Sequence, residues 1–160
     1  MTLVEFNSST NISDWFIVND VIMGGKSNSD FYLNKEGNAI FKGFVSLENN
    51  GGFSMSKHPF EQTSIHQFSK IVLKLKGDGK RYQFRVKSNA SDAHSYVSYF
   101  ETNGEWQLIE IFLSQLVPTF RGQTLDKPNY PAKVLQEIAL LIGNQKAESF
   151  QLEIKSIVLK

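Results

Sequence analysis

Residues 71–87 read Ile71-Val72-Leu73-Lys74-Leu75-Lys76-Gly77-Asp78-Gly79-Lys80-Arg81-Tyr82-Gln83-Phe84-Arg85-Val86-Lys87. In the first half Ile71, Leu73 and Leu75 share one parity, and Val72, Lys74 and Lys76 take the other. In the second half Tyr82, Phe84 and Val86 alternate with Arg81, Gln83, Arg85 and Lys87. A period of two sends successive side chains to opposite faces of an extended chain, so each half is a strand with one buried face and one wet face. Gly77-Asp78-Gly79 between them carries the signal of a tight hairpin that makes the two strands neighbours.

The same period recurs along the chain, with strands expected over 31–33, 39–47, 53–56, 95–101, 106–113, 137–142 and 150–159. In the last of these the apolar parity switches from Phe150, Leu152 and Ile154 to Ile157 and Leu159, which predicts a β-bulge near Lys155. Helical signals are confined to single turns at 64–68 and 113–117. Many short strands separated by turns, with no intervening helices, indicate an all-β antiparallel sandwich or barrel. Residues 118–131, with Pro118, Pro128 and Pro131, form the longest irregular stretch, of the kind that often carries function. The 160 residues suit one domain spanning the whole chain.

Composition excludes several classes of function. Seventeen basic against 16 acidic side chains leave a net charge of +1, without the basic excess of a nucleic-acid binder. The cluster Lys74, Lys76, Lys80, Arg81, Arg85 and Lys87 is the local exception, and reads as the solvent face of two paired strands. There is no cysteine, hence no disulfide, thiolate nucleophile or cysteine-ligated metal. The N-terminus resembles neither a signal peptide nor a transit peptide, and no apolar run approaches membrane-spanning length. A cytoplasmic location is expected.

Motifs of catalysis fail on inspection. Gly52-Phe53-Ser54-Met55-Ser56 lacks the final glycine of a nucleophile elbow. Gly77-Asp78-Gly79-Lys80-Arg81 is followed by Tyr82 where a dinucleotide fingerprint has glycine. His58, His66 and His94 lack the close second ligand of a metal site. No cofactor, no metal and no enzymatic activity are expected.

Two glycine pairs set in aromatic sequence stand out instead: Gly24-Gly25 within residues 15–27 and Gly51-Gly52 within 47–56. Adjacent glycines let a backbone or ligand approach closely and suit a shaped surface edge. Asn19 and Asp20 precede the first pair, either as a recognition surface beside Met23 or as an Asx-type brace. Arg121, at a turn after Phe120, offers a fork of donors for a carboxylate, either on a ligand or on Asp20 as a clamp between loops. Tyr82, Tyr96, Tyr99 and Tyr130 are candidate platforms for sugar rings, although strand aromatics are usually core. The candidate binding residues are Asn19, Asp20, Met23, Gly24, Gly25, Ser27, Asn50, Gly51, Gly52, Phe53, Arg81, Tyr82 and Arg121.

These pieces, taken in order, resemble the complex I intermediate-associated protein family. Trp15 with Asp20, Met23, Gly24, Gly25 and Ser27, then Asn50-Gly51-Gly52-Phe53, follow its pattern. Gly77-Asp78-Gly79 with Tyr82, Pro118 with Arg121-Gly122, and Phe150 to Ile154 before Ile157 continue it. The chain departs from it in lacking a transit peptide, a proline in Ile111-Phe112-Leu113 and a glycine before Phe150. The resemblance implies a galactose-binding-like jelly roll and a non-catalytic protein-interaction or assembly factor, with a respiratory-complex assembly intermediate as partner. The alternative it implies is a carbohydrate-binding module that uses a concave sheet face.

Overall fold

The computed structural model describes residues 1–19 and 25–160. Among these residues the strands are β1 (Thr2–Glu5), β2 (Phe16–Asn19), β3 (Asn28–Leu33), β4 (Ala39–Val45), β5 (Ser54–Ser64), β6 (Lys70–Lys76) and β7 (Arg81–Lys87). They continue with β8 (Ser95–Glu101), β9 (Trp106–Phe112), β10 (Val117–Phe120), β11 (Gln123–Thr124), β12 (Val134–Ile142) and β13 (Glu148–Leu159). All pairings are antiparallel. A six-stranded sheet has the order β3-β4-β13-β6-β9, with β1 added against the C-terminal part of β13. A seven-stranded sheet has the order β11-β10-β8-β7-β12-β5-β2.

The alternation read from sequence decides what lies between the sheets. Phe41, Leu73, Leu75, Leu152 and Ile154 come from the first sheet, and Tyr82, Phe84, Ile138 and Leu140 from the second, all at most 1% exposed. Trp15, outside any strand, is also core, stacked on Phe31 at 4.6 Å and on His58 at 5.0 Å. The arrangement is the β-sandwich expected. The bulge is present too: the register of β13 against β6 shifts between Ile154 and Ser156, and the intervening Lys155 donates from Nζ to the Phe6 carbonyl at 2.7 Å.

The expected 71–87 hairpin does not form. β6 pairs with β13 and β9, whereas β7 pairs with β8 and β12, so the two strands lie in different sheets. The Gly77-Asp78-Gly79 segment carries the chain across the core from one sheet to the other. Alternation looks the same for two strands that pair and for two that face each other, so parity alone cannot tell them apart. Side-chain bonds hold the crossing instead. Asp78 accepts hydrogen bonds from the Tyr82 hydroxyl at 2.9 Å and from the Gln151 backbone N–H at 2.8 Å. Thr102 Oγ1 accepts from the Gly79 N–H at 3.0 Å and donates to the Lys80 carbonyl at 2.8 Å. The basic cluster is split accordingly, with Lys74 and Lys76 on the six-stranded sheet and Arg81, Arg85 and Lys87 on the seven-stranded one.

Three more expectations are refined. Residues 118–131 begin with an ordered hairpin, β10–β11, whose turn holds Arg121 at φ 50° and Gly122 at φ 78°. Residue 64 closes β5, and the turn that follows is bonded from the Phe68 N–H to the Ile65 carbonyl at 3.0 Å. The expected turn near 113 is a 3-10 turn over Leu113–Gln115.

Candidate functional site

The parity that buries Tyr82, Phe84 and Val86 turns Arg81, Gln83, Arg85 and Lys87 outward on β7, the central strand of its sheet. Register extends this face across five strands. One row runs Val97, Arg85, Ala139, Lys57, Phe16 from β8 to β2, and the next runs Tyr99, Gln83, Leu141, Met55, Val18. Glu137 lies between Lys87 and Pro59 in a third row.

The middle of this face is sheltered and its flanks are exposed. Ala139 is 2% exposed, Val97 and Glu137 6% and Gln83 9%, although all point away from the core, whereas Tyr99 is 52% and Phe16 49% exposed. Four strand spacings separate the two flanking aromatics, roughly 19 Å at about 4.8 Å per strand. The sheltered floor between these two exposed aromatic side chains is the hollow of this face.

Its polar groups form a chain. Arg85 Nη1 donates to Gln83 Oε1 at 2.8 Å, and Gln83 Nε2 donates to the Tyr99 hydroxyl at 3.4 Å. The Arg81 guanidinium lies over the Tyr99 ring, 4.1 Å from its centroid, a cation–π contact. Lys57 Nζ stands 3.9 Å from the buried Glu137 carboxylate, and Lys87 Nζ donates to the Asp92 carbonyl at 2.7 Å. Burial pushes the Arg85 pKa below the ordinary arginine value, with Tyr99 and Glu137 acting in the opposite sense. Arginine starts so high that the group stays a cation at neutral pH.

Loops gather at one end of the sandwich as a wall joined to this face through Asn144. Ser27 Oγ accepts from the Ser46 N–H at 2.9 Å and donates to the Ser46 carbonyl at 3.3 Å. Lys26 and Glu48 pair at 3.4 Å across the same two loops. A Cβ on Gly143 would meet the Gly52 carbonyl oxygen at 3.1 Å, so the second glycine pair packs backbone to backbone against the end of β12. Asn144 Nδ2 then donates to the Arg81 carbonyl at 2.9 Å, tying this wall to the face.

With that geometry in view, residues 4–154 match the profile of complex I intermediate-associated protein 30. The chain belongs to that family. No curated protein matches it significantly in sequence. Among solved structures it is similar to the family 11 carbohydrate-binding module from Clostridium thermocellum in complex with a β-1,3-1,4-mixed-linked tetrasaccharide. The TM-score is 0.72 at 14% identity, covering 97% of this chain and 93% of that one. The family 11 module of the cellulosomal cellulase Lic26A-Cel5E of the same organism gives 0.70 at 14% identity, over 98% and 92% of the two chains. An exo-β-agarase gives 0.63 at 12% identity, this chain covering only 24% of its length. These likenesses establish for this chain the jelly-roll sandwich of such modules.

Several residues of the family motifs gather at the loop wall. Asn19 ends β2 opposite Ser54, Gly25 and Ser27 are buried beside the Ser46 loop, and Gly51, Gly52 and Phe53 lead into β5. The backbone of Asn50 closes a 3-10 turn over Glu48–Asn50. Arg81 stands on the hollow itself. Asp20, Met23 and Gly24 lie outside the described residues, and with Asp20 the expected clamp to Arg121. Arg121 sits apart from the loop wall, on the β10–β11 edge opposite β2, exposed over the Phe120 ring at 5.3 Å. Tyr82 is fully buried and its hydroxyl is spent on Asp78, so it faces no ligand. Of the four tyrosines considered as platforms only Tyr99 is exposed on this face.

Tyr99 is legible from sequence as a candidate platform, whereas Arg85, Gln83, Glu137, Lys57 and Phe16 do not stand out as candidates. The outward parity of Arg81, Gln83 and Arg85 was legible, but their assembly with residues of β8, β12, β5 and β2 depends on register. Among the described residues no helix is long and apolar enough to cross a membrane, and no three His, Asp or Glu side chains gather to hold a metal ion.

Proposed function

We propose that this protein is a non-catalytic recognition domain, an assembly or protein-interaction factor that engages a partner polypeptide across the hollow of the seven-stranded sheet. The observation that carries this reading is the Arg81–Tyr99 stack with Phe16 on the far flank. Tyrosine and arginine anchors beside a sheltered floor are the features on which protein interfaces concentrate their energy. Family membership supports the assembly role, with a respiratory-complex intermediate as the partner class. The cysteine-free sequence fits a reducing compartment, and we place the protein in the cytoplasm.

A second reading, carbohydrate binding, is favoured by one observation: the exposed Tyr99 ring adjoins the planar polar groups of Gln83 and Arg85. Against it, Arg81 already lies on that ring, and the next exposed aromatic on the face is four strands away.

Affinity co-purification from the native host tests the two. Wild type is compared with an Arg81→Ala, Tyr99→Ala double variant of verified fold. Respiratory-complex subunits or assembly factors recovered by wild type and lost with the variant support the protein reading. Tyr99-dependent retention on a glycan panel, with no protein partner, replaces it with the carbohydrate reading.

A further inference from the structure

We propose that the group seated at the centre of this hollow is a carboxylate of an acidic, apolar-rich polypeptide segment, held by Arg85; this rests on the reading of the hollow as the binding face. Arg85 projects from the central strand, half-buried, with the uncharged side chains of Val97 and Ala139 as its register neighbours on either side. Its guanidinium carries five N–H donors. Among the described residues it makes one side-chain hydrogen bond, to the neutral amide of Gln83 at 2.8 Å, and no carboxylate lies within ion-pair distance.

The nearest anion is committed elsewhere. Glu137 pairs with Lys57 at 3.9 Å, so this part of the floor holds two cations, Arg85 and Lys57, against one carboxylate. Glu137 acts on Arg85 only from beyond ion-pair distance, and a half-buried cation with no carboxylate in contact has lost hydration that a fixed anion would replace. The other charged groups of the face do not supply one. Arg81 and Lys87 are cations, engaged with Tyr99 and the Asp92 carbonyl, and Glu101 lies opposite Arg81 at the end of the face.

The chemistry selects among anions. A carboxylate matches the arginine fork with two parallel acceptors and one charge. A phosphate would bring a second negative charge toward Glu137. Towards β2 the face turns apolar, through Ala139, Leu141, Met55, Val18 and Phe16, with Lys57 as the side-chain donor among them. Hydroxyl-rich sugar finds few partners there, whereas apolar side chains flanking an acidic residue bury against it.

The test is side-chain and backbone NMR of the labelled protein with three probes: acetyl-Leu-Glu-Leu-Glu-Leu-amide, its glutamine counterpart, and trigalacturonate. The glutamate peptide is expected to shift the Arg85 Nε–Hε signal and the Tyr99 ring, binding about tenfold or more tighter than the glutamine peptide, as a charge-assisted pair implies. Arg85→Gln is expected to abolish that preference. Arg85→Lys, which keeps the charge without the fork, restores part of it and serves if the glutamine variant fails to fold. Equal binding of the two peptides with shifts on the hollow overturns the carboxylate while leaving the face intact. Shifts confined to other surfaces, or none, overturn the face and the inference together. Trigalacturonate alone shifting Arg85 overturns the polypeptide and makes the ligand an acidic sugar.

Discussion

The Asp78 carboxylate accepts the backbone N–H of Gln151 at 2.8 Å, joining residues 73 positions apart in the sequence. With its other oxygen it accepts the Tyr82 hydroxyl at 2.9 Å, and so links β13 of one sheet to β7 of the other. One side chain therefore satisfies a strand N–H and the polar end of a buried tyrosine. Asp78→Ala removes the carboxylate acceptor from both donors. It is expected to cost about 2 kcal/mol and lower the melting temperature by about 5 °C. Calorimetry checks this, and an unchanged transition would remove Asp78 as the link between sheets.

The crossing turn makes a second expectation from space alone. A Cβ on Gly77 would sit 2.3 Å from Thr102 Cβ, and Thr102 is anchored by its bonds to Gly79 and Lys80. Gly79, at φ 84°, has open space around it but a backbone conformation unfavourable to other residues. Gly77→Ala should cost about 3 kcal/mol by overpacking, and Gly79→Ala about 1 kcal/mol by backbone strain. Denaturant titration of both gives the order, and the reverse order would contradict the packing at Thr102.

Ser56 is a polar residue that the core does not use. It is fully buried on the inward parity of β5, between Ile17 and Leu140, and its hydroxyl has no hydrogen-bond partner among the described residues. Removing an unsatisfied buried hydroxyl relieves its desolvation cost. Ser56→Ala is expected to stabilise the fold by about 1 kcal/mol, read from the shift of the denaturant midpoint at constant slope. A loss of stability would mean that the hydroxyl has a role in the folded state.

Alkaline pH should unfold the protein through two buried phenols. Burial is the main cause that pushes Tyr82 and Tyr130 far above the ordinary tyrosine value, and Asp78 adds to it at Tyr82. Their folded-state values lie above the unfolded value of about 10, so the unfolded chain releases protons first. Stability is whole below about pH 10 and falls as pH rises beyond it, by up to about 1.4 kcal/mol per pH unit for each tyrosine. Ultraviolet titration should show these two phenols ionising only with loss of tertiary structure. Tyr82→Phe should flatten the alkaline limb while lowering stability at neutral pH.

Much of the sandwich was legible because a strand buried on one face writes its pattern locally. Tyr82, Phe84 and Val86 on one parity, and the switch at Lys155, follow from the geometry of an extended chain and need no knowledge of partners. Strand β2 and the β10–β11 hairpin were not legible as strands. Four-residue β2 sits in the sheet because β5 offers an edge, and Pro118 is tolerated because β10 lies near the sheet margin. The glycine pairs pointed to a shaped end of the molecule, where Ser27, Ser46, Gly52 and Gly143 meet.

By itself, then, the sequence determined the class of fold, the residues of the core, the family and the outward direction of Arg81, Gln83 and Arg85. Tertiary structure decided which strands are neighbours. It separated β6 from β7, set Tyr99 against Gln83, and brought Glu137 and Lys57 beside Arg85 from strands far away in the chain. The physical reason is that side-chain alternation records which face of a strand meets the core, whereas pairing and register are fixed by the long-range closure of two sheets around that core.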